Sequence, residues 1–208
     1  MKKSLLKSRL KDVSKFLTSD AAQNAIKILK KELDNYQEPK LSEESTDRFP
    51  IPKELERNSK AIALFSDGGC RGNPGPGAYG FLVQNASGDI VFEQAEFFEH
   101  TTNNRMELQG AISALEFALS SASEQEIFVY TDSKYVVDGI NSWVSGWKSR
   151  GWRKADKKAP ENLEYWQKLD ELALKTKAKF LWVKGHAGHP QNERADQLAN
   201  ECMDDHEG

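Results

Sequence analysis

The order of strand and helix signals after the amino-terminal region is the feature that most constrains how this chain folds. Three apolar segments with strand character come first, at residues 61–65, 78–84 and 90–97. A loop rich in glycine and proline at residues 68–77 separates the first two, and a turn at residues 86–89 separates the last two. Short connections between consecutive strands predict an antiparallel meander.

Strand and helix signals alternate in the rest of the chain. Apolar residues at helical spacing predict helices, and short β-branched or aromatic runs predict strands. The predicted elements are a helix at 104–120, a strand at 126–130, helices at 133–147 and 160–174, a strand at 179–183 and a helix at 193–203. A meander followed by alternating strands and helices predicts an α/β fold, with a mixed sheet flanked by helices.

The amino-terminal region has a different pattern and is predicted to lie outside this domain. Its apolar residues recur at helical spacing, which predicts a short helical extension at residues 1–38. Residues 39–59 are polar and contain Pro50 and Pro52, so they are predicted to form a linker of low order. The main domain is therefore placed at residues 60–208.

Composition limits the class of protein. Hydrophobic residues make up 38% of the chain and charged residues 29%, which is typical of a globular protein. The chain has no apolar stretch long enough to cross a bilayer and no apolar signal core at its lysine-rich start, so a cytoplasmic protein without membrane contact is predicted. Cys70 and Cys202 are too few for a disulfide framework or a zinc site.

Four acidic residues lie where the predicted elements begin or end. Asp67 and Asp132 follow predicted strands, and Glu107 and Asp196 lie near the starts of predicted helices. Clustered carboxylates are the ligands that magnesium prefers. The alternative is structural, because the helix dipole favours acids in a first turn and an aspartate after a strand often bonds its own backbone. Spacing alone leaves both interpretations open.

The residues around these acids resemble the signature segments of type 1 ribonuclease H. The similar segments are, in order, 66–77 (SDGGCRGNPGPG), 101–108 (TTNNRMEL), 130–133 (YTDS), 182–189 (WVKGHAGH) and 192–196 (NERAD). The resemblance runs from about residue 60 to the carboxyl end and leaves only the extension uncovered. It implies the ribonuclease H-like fold, a five-stranded mixed sheet flanked by helices.

The resemblance also implies an activity and the residues that perform it. The chain would be an endonuclease that hydrolyses the RNA strand of RNA–DNA hybrids with two magnesium ions, or manganese in their place, leaving 5′-phosphate and 3′-hydroxyl ends. Asp67, Glu107, Asp132 and Asp196 would be the catalytic carboxylates that bind these metals. His186, in a loop bounded by glycines, would assist proton transfer or product release, and Glu193 would tune metal occupancy.

Further residues match the family's contacts with the hybrid. The resemblance assigns Asn73, Asn103 and Asn104 to the minor groove of the RNA strand, with Gly69 and Cys70 bringing backbone close to the ribose. It assigns Thr102 and Asn162 to a phosphate of the DNA strand. Without the family match, Asn73, Asn103 and Asn104 are equally well explained as turn and cap residues.

A basic segment at residues 143–158 interleaves tryptophans with cations. Trp143, Trp147, Trp152 and Lys148 are its predicted substrate contacts, because cations attract phosphates and aromatic rings pack against sugars. It resembles the family's basic protrusion, which binds the DNA strand. The alternative is that the tryptophans belong to the core and the lysines form a solvated face.

Two other functions and the role of the extension stay open at this point. The same acids would serve a transposase-like nuclease of the fold superfamily, and a chain with vestigial acids would be a hybrid-binding module. The extension carries clustered lysines but no glycine or tryptophan, so it departs from the hybrid-binding domain of some family members. It is predicted to contact nucleic acid or a partner, and the chain is expected to be a monomer.

Overall fold

The computed structural model describes residues 10–11, 14–15, 19–35, 49–121, 125–185 and 187–207. These residues fall into two compact units, Met1–Arg48 and Phe49–Gly208. The first unit contains helix α1 (Asp20–Asn35), in which Ile26 is buried. The second unit contains the sheet and the other described helices.

The second unit is built on a mixed sheet with strand order β3-β2-β1-β4-β5. Its strands are β1 (Ala61–Cys70), β2 (Gly75–Asn85), β3 (Ile90–Thr101), β4 (Glu126–Thr131) and β5 (Lys179–Trp182). The first three strands form an antiparallel meander, and β4 and β5 are parallel to β1. The predicted α/β class and five-stranded mixed sheet are confirmed.

The meander strands are longer than predicted. β1 continues through Asp67 to Cys70, where Cys70 pairs with Gly77, so most of the predicted loop belongs to strands. The prediction that β1 ends near residue 65 is therefore wrong. The physical reason is close approach: a Cβ on Gly77 would lie 2.5 Å from the carbonyl oxygen of Gly69, so only glycine permits this pairing.

Seven helices and one π-helical segment are described in all. After α1 they are α2 (Lys53–Glu56), α3 (Asn103–Ser121), α4 (Lys134–Asp138), the π-helical segment (Gly139–Trp143), α5 (Val144–Ser149), α6 (Leu163–Thr176) and α7 (Pro190–Glu207). The last helix starts at Pro190 rather than at the predicted 193, because proline suits the first helical position. Helix α6 starts after Asn162, whose φ of 55° is left-handed, and not at the predicted 160. None of the described helices is long and apolar enough to cross a membrane.

Side chains of the sheet alternate between two apolar clusters. Ile62 and Leu64 of β1 pack with α3 and with Trp166 of α6 in one cluster. Ala63 and Phe65 lie in the other cluster. This period of two is the consequence of strand geometry, and it leaves β1 buried on both faces.

Residues 49–59, predicted to belong to a linker, contact the sheet instead. Leu55 of α2 is only 1% exposed and joins the cluster of Phe65 and Tyr130. The expected low order of this part is wrong, because buried apolar contacts fix it; residues 36–48 lie outside the described residues. The predicted domain boundary at residue 60 stays a prediction.

Candidate active site

Two parallel strands bring the first pair of carboxylates together. Phe65 of β1 is paired in register with Tyr130 of β4. Asp67 and Asp132 each follow two residues later, so they lie side by side at the same edge of the sheet. Asp132 comes directly after the end of β4, where the Trp182 indole N–H donates to its backbone oxygen at 3.0 Å.

Helix α3 adds the third carboxylate because it crosses β1 at very short distance. A Cβ on Gly68 would lie 2.4 Å from the carbonyl carbon of Met106 and 2.6 Å from the nitrogen of Glu107. One carboxylate oxygen from each of Asp67, Glu107 and Asp132 lies within 4.8 Å of the other two. Glu107 is in the second turn of α3, not in the first turn as predicted, because the helix begins at Asn103.

Burial and mutual repulsion disturb the ionisation of this group. Burial raises the pKa of Asp67 to about 7, and the charges of Asp132 and Asp196 add to this effect. The hydrogen bond that the Gly68 amide donates to Asp67 Oδ1, at 2.7 Å, opposes these effects and lowers the pKa of Asp67. Burial, followed by the charges of Asp67 and Asp132, raises the pKa of Glu107 well above its ordinary value.

The site fits a hard divalent cation. Among the described residues, Glu107 Oε2 is buried and has no hydrogen-bond partner. A buried carboxylate oxygen without a donor is costly unless a cation takes the donor's place. The ligand set contains oxygen and no sulfur, as magnesium and manganese prefer.

Asp196 approaches this group from α7, on which it lies in the second turn. It is outside the set within 4.8 Å, but its charge contributes to the raised pKa of Asp67. Its Oδ1 accepts from the Asn200 side-chain amide at 2.8 Å. Its predicted place in the first turn is wrong, because α7 begins at Pro190.

Comparison with known proteins decides the family. The family model for RNase H matches residues 59–204, which is more than half of the chain. The chain belongs to the RNase H family. It is therefore an endonuclease for the RNA strand of RNA–DNA hybrids, and the family, fold and enzyme class predicted from the sequence are confirmed.

Relatives and solved structures agree with this assignment. The ribonuclease H of Bradyrhizobium sp. (strain ORS 278) is 51% identical over 140 residues, which cover 67% of this chain and 88% of the relative. That of Paracoccus denitrificans is 49% identical over 146 residues, covering 69% and 92%. The crystal structure of RNase H1 from Halobacterium salinarum has a TM-score of 0.56 at 31% identity, covering 70% and 98%. LC11-RNase H1 in complex with an RNA/DNA hybrid has a TM-score of 0.57 at 27% identity, covering 71% and 99%.

The loop after β5 contacts the RNase H site at two points. A Cβ on Gly185 would lie 2.3 Å from Asp132 Oδ2, so any larger residue here would displace the Asp132 carboxylate. Glu193 Oε1 accepts from the Gly188 amide at 3.2 Å and thereby links the loop to the start of α7. His186, the predicted proton-transfer residue of this loop, lies outside the described residues.

The residues predicted to read the RNA strand lie at the end of β1, in the loop that follows it and at the start of α3. Asn73 Oδ1 accepts from the Asn103 amide at 3.4 Å, which joins the loop between β1 and β2 to the start of α3. Asn103 and Asn104 are exposed, Gly69 is partly buried in β1, and the Cys70 thiol donates to the Gly72 carbonyl. Asn73, Asn103 and Asn104 can therefore hold the local backbone and still leave exposed groups for contact with RNA.

Asn162, a predicted phosphate ligand of the DNA strand, is held by residues of three elements. Its Oδ1 accepts from Arg105 Nε at 3.2 Å, and its amide donates to the Tyr135 hydroxyl at 3.3 Å. Trp166 donates its indole N–H to the same hydroxyl at 3.2 Å. Thr102, the other predicted phosphate ligand, accepts from the Arg105 amide at 3.4 Å, so both lie beside Arg105.

The basic segment combines exposed cations with aromatic rings that pack inward. Trp147 and Trp152 are partly buried against the core, and Trp147 lies edge-on to Trp166 with ring centroids 5.6 Å apart. Trp143 is 38% exposed. Lys148 pairs with Asp170 of α6 at 2.7 Å. Trp147 and Trp152 therefore pack against the core, as the alternative interpretation expected, and contact of this segment with substrate stays a prediction.

Sequence reasoning missed several residues that shape the site. Gly68 and Gly185 permit close approach to the acids, and Trp182 and Arg105 hold neighbouring groups by hydrogen bonds. Gly68 stands beside a predicted acid and Gly185 beside His186, but their steric roles depend on residues from distant parts of the chain. Nothing in the spacing of Arg105 and Asn162 indicated their contact.

Proposed function

We propose that this RNase H cleaves the RNA strand with two magnesium ions held by Asp67, Glu107, Asp132 and Asp196. The observation that carries the proposal is that oxygens of three of these carboxylates lie within 4.8 Å of one another. Such a group repels itself unless cations neutralise it. Manganese is the alternative cation, because it accepts the same oxygen ligands.

Two cations at such a site would supply hydroxide near neutral pH and stabilise the departing ribose oxygen, which gives 5′-phosphate and 3′-hydroxyl products. The protein's own part is to fix the acids. The Gly68 amide orients Asp67, and the Trp182 indole holds the backbone of Asp132. We assign proton transfer to His186 and adjustment of cation occupancy to Glu193, which holds that loop.

Discrimination of RNA from DNA requires donors and acceptors for the 2′-hydroxyl. We assign this role to Gly69, Cys70, Asn73, Asn103 and Asn104, which lie near the acids in sequence, at the end of β1, in the loop that follows it and at the start of α3. A neighbour of the same fold crystallised with an RNA/DNA hybrid supports a hybrid as the ligand.

We assign contact with the DNA strand to a second group of residues. In this proposal Thr102 and Asn162 bind a DNA phosphate, and the basic segment attracts the strand through Lys148 and packs against it with Trp143, Trp147 and Trp152. We further propose a cytoplasmic monomer, with the extension at residues 1–38 adding contact to nucleic acid or a partner.

The deciding experiment uses labelled RNA–DNA, RNA–RNA and DNA–DNA duplexes, each with and without magnesium. We expect cleavage of RNA in the hybrid only, dependent on the cation. Strand transfer into DNA would instead indicate a transposase-like enzyme, and retention of the hybrid without cleavage would indicate a binding module. Asp67→Asn should keep hybrid binding and abolish cleavage, and substantial remaining turnover would contradict the carboxylate assignment.

A further inference from the structure

A short segment ahead of the family match packs against the two strands that lead to Asp67 and Asp132. We call residues 49–57 the brace; it includes α2, and the family match begins only at residue 59. The amides of Leu55 and Glu56 both donate to the Pro52 carbonyl, at 2.9 and 3.1 Å, which closes the first turn of α2. Leu55 fills the cluster of Ala63, Phe65 and Tyr130.

The brace bonds to an aromatic pair that supports two of the acids. The rings of Phe65 and Tyr130 are stacked, with centroids 4.8 Å apart and planes at 13°. These residues precede Asp67 and Asp132 by two positions on their strands, so the pair sets the spacing of the strands just before the carboxylates. The Tyr130 hydroxyl donates to Glu54 Oε2 at 2.6 Å. Burial and the charge of Glu54 raise the pKa of Tyr130, which keeps the hydroxyl a donor.

The brace also bonds to the start of the helix that carries Asp196. The side-chain amide of Gln191, in the first turn of α7, donates to the Pro50 carbonyl and, at 3.0 Å, to Gln84 Oε1. Gln84 is fully buried in β2 and donates to the Phe49 carbonyl at 3.2 Å. Buried amides with satisfied partners fix geometry strongly, because each lost bond leaves an unpaired polar group.

We infer that the brace is a positioning element of the active site, which holds the ends of β1 and β4 and the start of α7 in register so that Asp67, Asp132 and Asp196 face shared cations. This inference rests on the proposed function of those acids. Groups that orient metal ligands commonly change metal affinity or activity by about 10–100-fold when removed. The brace acts one layer further out, so a smaller effect is expected.

The test uses the full chain with Glu54→Ala, which removes the acceptor of the Tyr130 hydroxyl. Two magnesium values are measured. The first is the dissociation constant for magnesium, obtained by calorimetry without hybrid, and the second is the magnesium concentration that gives half-maximal cleavage. We expect both values to rise about threefold to tenfold, while KM for the hybrid stays within about twofold. Glu54→Gln keeps an acceptor oxygen and should restore both values.

Glu56→Ala is the matched control, because it removes the same charge from an exposed position of the same helix. It should leave both magnesium values unchanged. If Glu54→Ala lowers only the melting temperature and leaves both magnesium values at wild type, the brace is merely stabilising and the inference is wrong.

Tyr130→Phe provides a second route that keeps the ring stack and removes only the hydroxyl. It should reproduce the Glu54→Ala shift in both magnesium values, and unchanged values would count against the inference even if Glu54→Ala failed to fold. The proposed function fails separately: in that case Asp67→Asn would retain cleavage, whatever the brace variants do.

Discussion

In the carboxylate pocket formed by Asp67, Glu107 and Asp132, backbone approaches backbone so closely at Gly68 that only glycine fits, whereas the basic segment leaves open space around Gly151, one of its two glycines. A Cβ on Gly68 would meet helix α3 at 2.4 Å, but a Cβ on Gly151 would have nothing within 4 Å. Chemistry on a phosphate needs ligand atoms held to within a fraction of an ångström, and this demands tight packing. Attraction of a charged strand acts over a longer range and tolerates looser placement.

Among the variants that test this comparison, Gly68→Ala is expected to cause the largest loss of cleavage rate. The new methyl group must displace the α3 backbone at Met106 and Glu107, which moves Glu107 away from Asp67. A misplacement of about 1 Å costs roughly 100-fold in rate, and overpacking costs about 1–3 kcal/mol in the free energy of unfolding. Single-turnover cleavage and denaturant unfolding measure the two effects.

The matched control for this change is Gly151→Ala. Gly151 has a φ of 66°, so alanine there costs about 1–2 kcal/mol of backbone strain without a clash. Its cleavage rate with saturating hybrid should stay near wild type. Equal rate losses in the two variants would mean that the pocket is no more sensitive to packing than the basic segment.

Asp67→Asn tests how strongly repulsion among the carboxylates destabilises the fold. The folded protein holds the Asp67 proton up to a pKa of about 7, whereas the unfolded chain releases it near 3.8. Folding stability from this group is therefore fully present below about pH 4 and is lost as pH rises toward 7. Asparagine carries no charge, so the variant should gain roughly 1–3 kcal/mol over wild type at pH 8 without divalent cations.

Thermal unfolding in a chelator at pH 5 and at pH 8 measures this gain. The difference between the variant and wild type should be larger at pH 8, and magnesium should reduce it by stabilising the wild type more than the variant. A variant no more stable than wild type at pH 8 in the chelator would show that repulsion among the acids is weaker than the geometry indicates.

The two regions also differ in how far the sequence could predict them. The acids and their order were predictable because each stands in a signature segment, and the pattern of apolar runs predicted a meander within a mixed sheet. The requirement for glycine at position 68 could not be predicted, because it depends on where α3 crosses β1. The brace was predicted as linker, since its polar, proline-containing sequence gives no sign that Gln84, Tyr130 and Gln191 supply its partners.

The smallest expected effect lies in the basic segment, where lysines differ in their pairing. Lys148 is bound to Asp170 at 2.7 Å, whereas Lys158 is exposed at the end of the segment. A lysine that contacts a phosphate contributes about 0.9 to the slope of log affinity against log salt. Lys158→Ala should reduce the slope by about that amount, and Lys148→Ala by less than half of it, because its ion pair must be broken before a phosphate is bound.

Hybrid affinity measured at several salt concentrations, with Asp67→Asn in the background to prevent cleavage, checks this order. The Lys154→Ala variant supplies a further cation of the same segment for comparison. Because these cations lie outside the carboxylate pocket, the same lysine changes in the active enzyme should leave the cleavage rate at saturating hybrid unchanged. A loss of rate at saturation would mean that the segment positions the scissile phosphate as well as attracting the strand, and the separation between the two regions would fail.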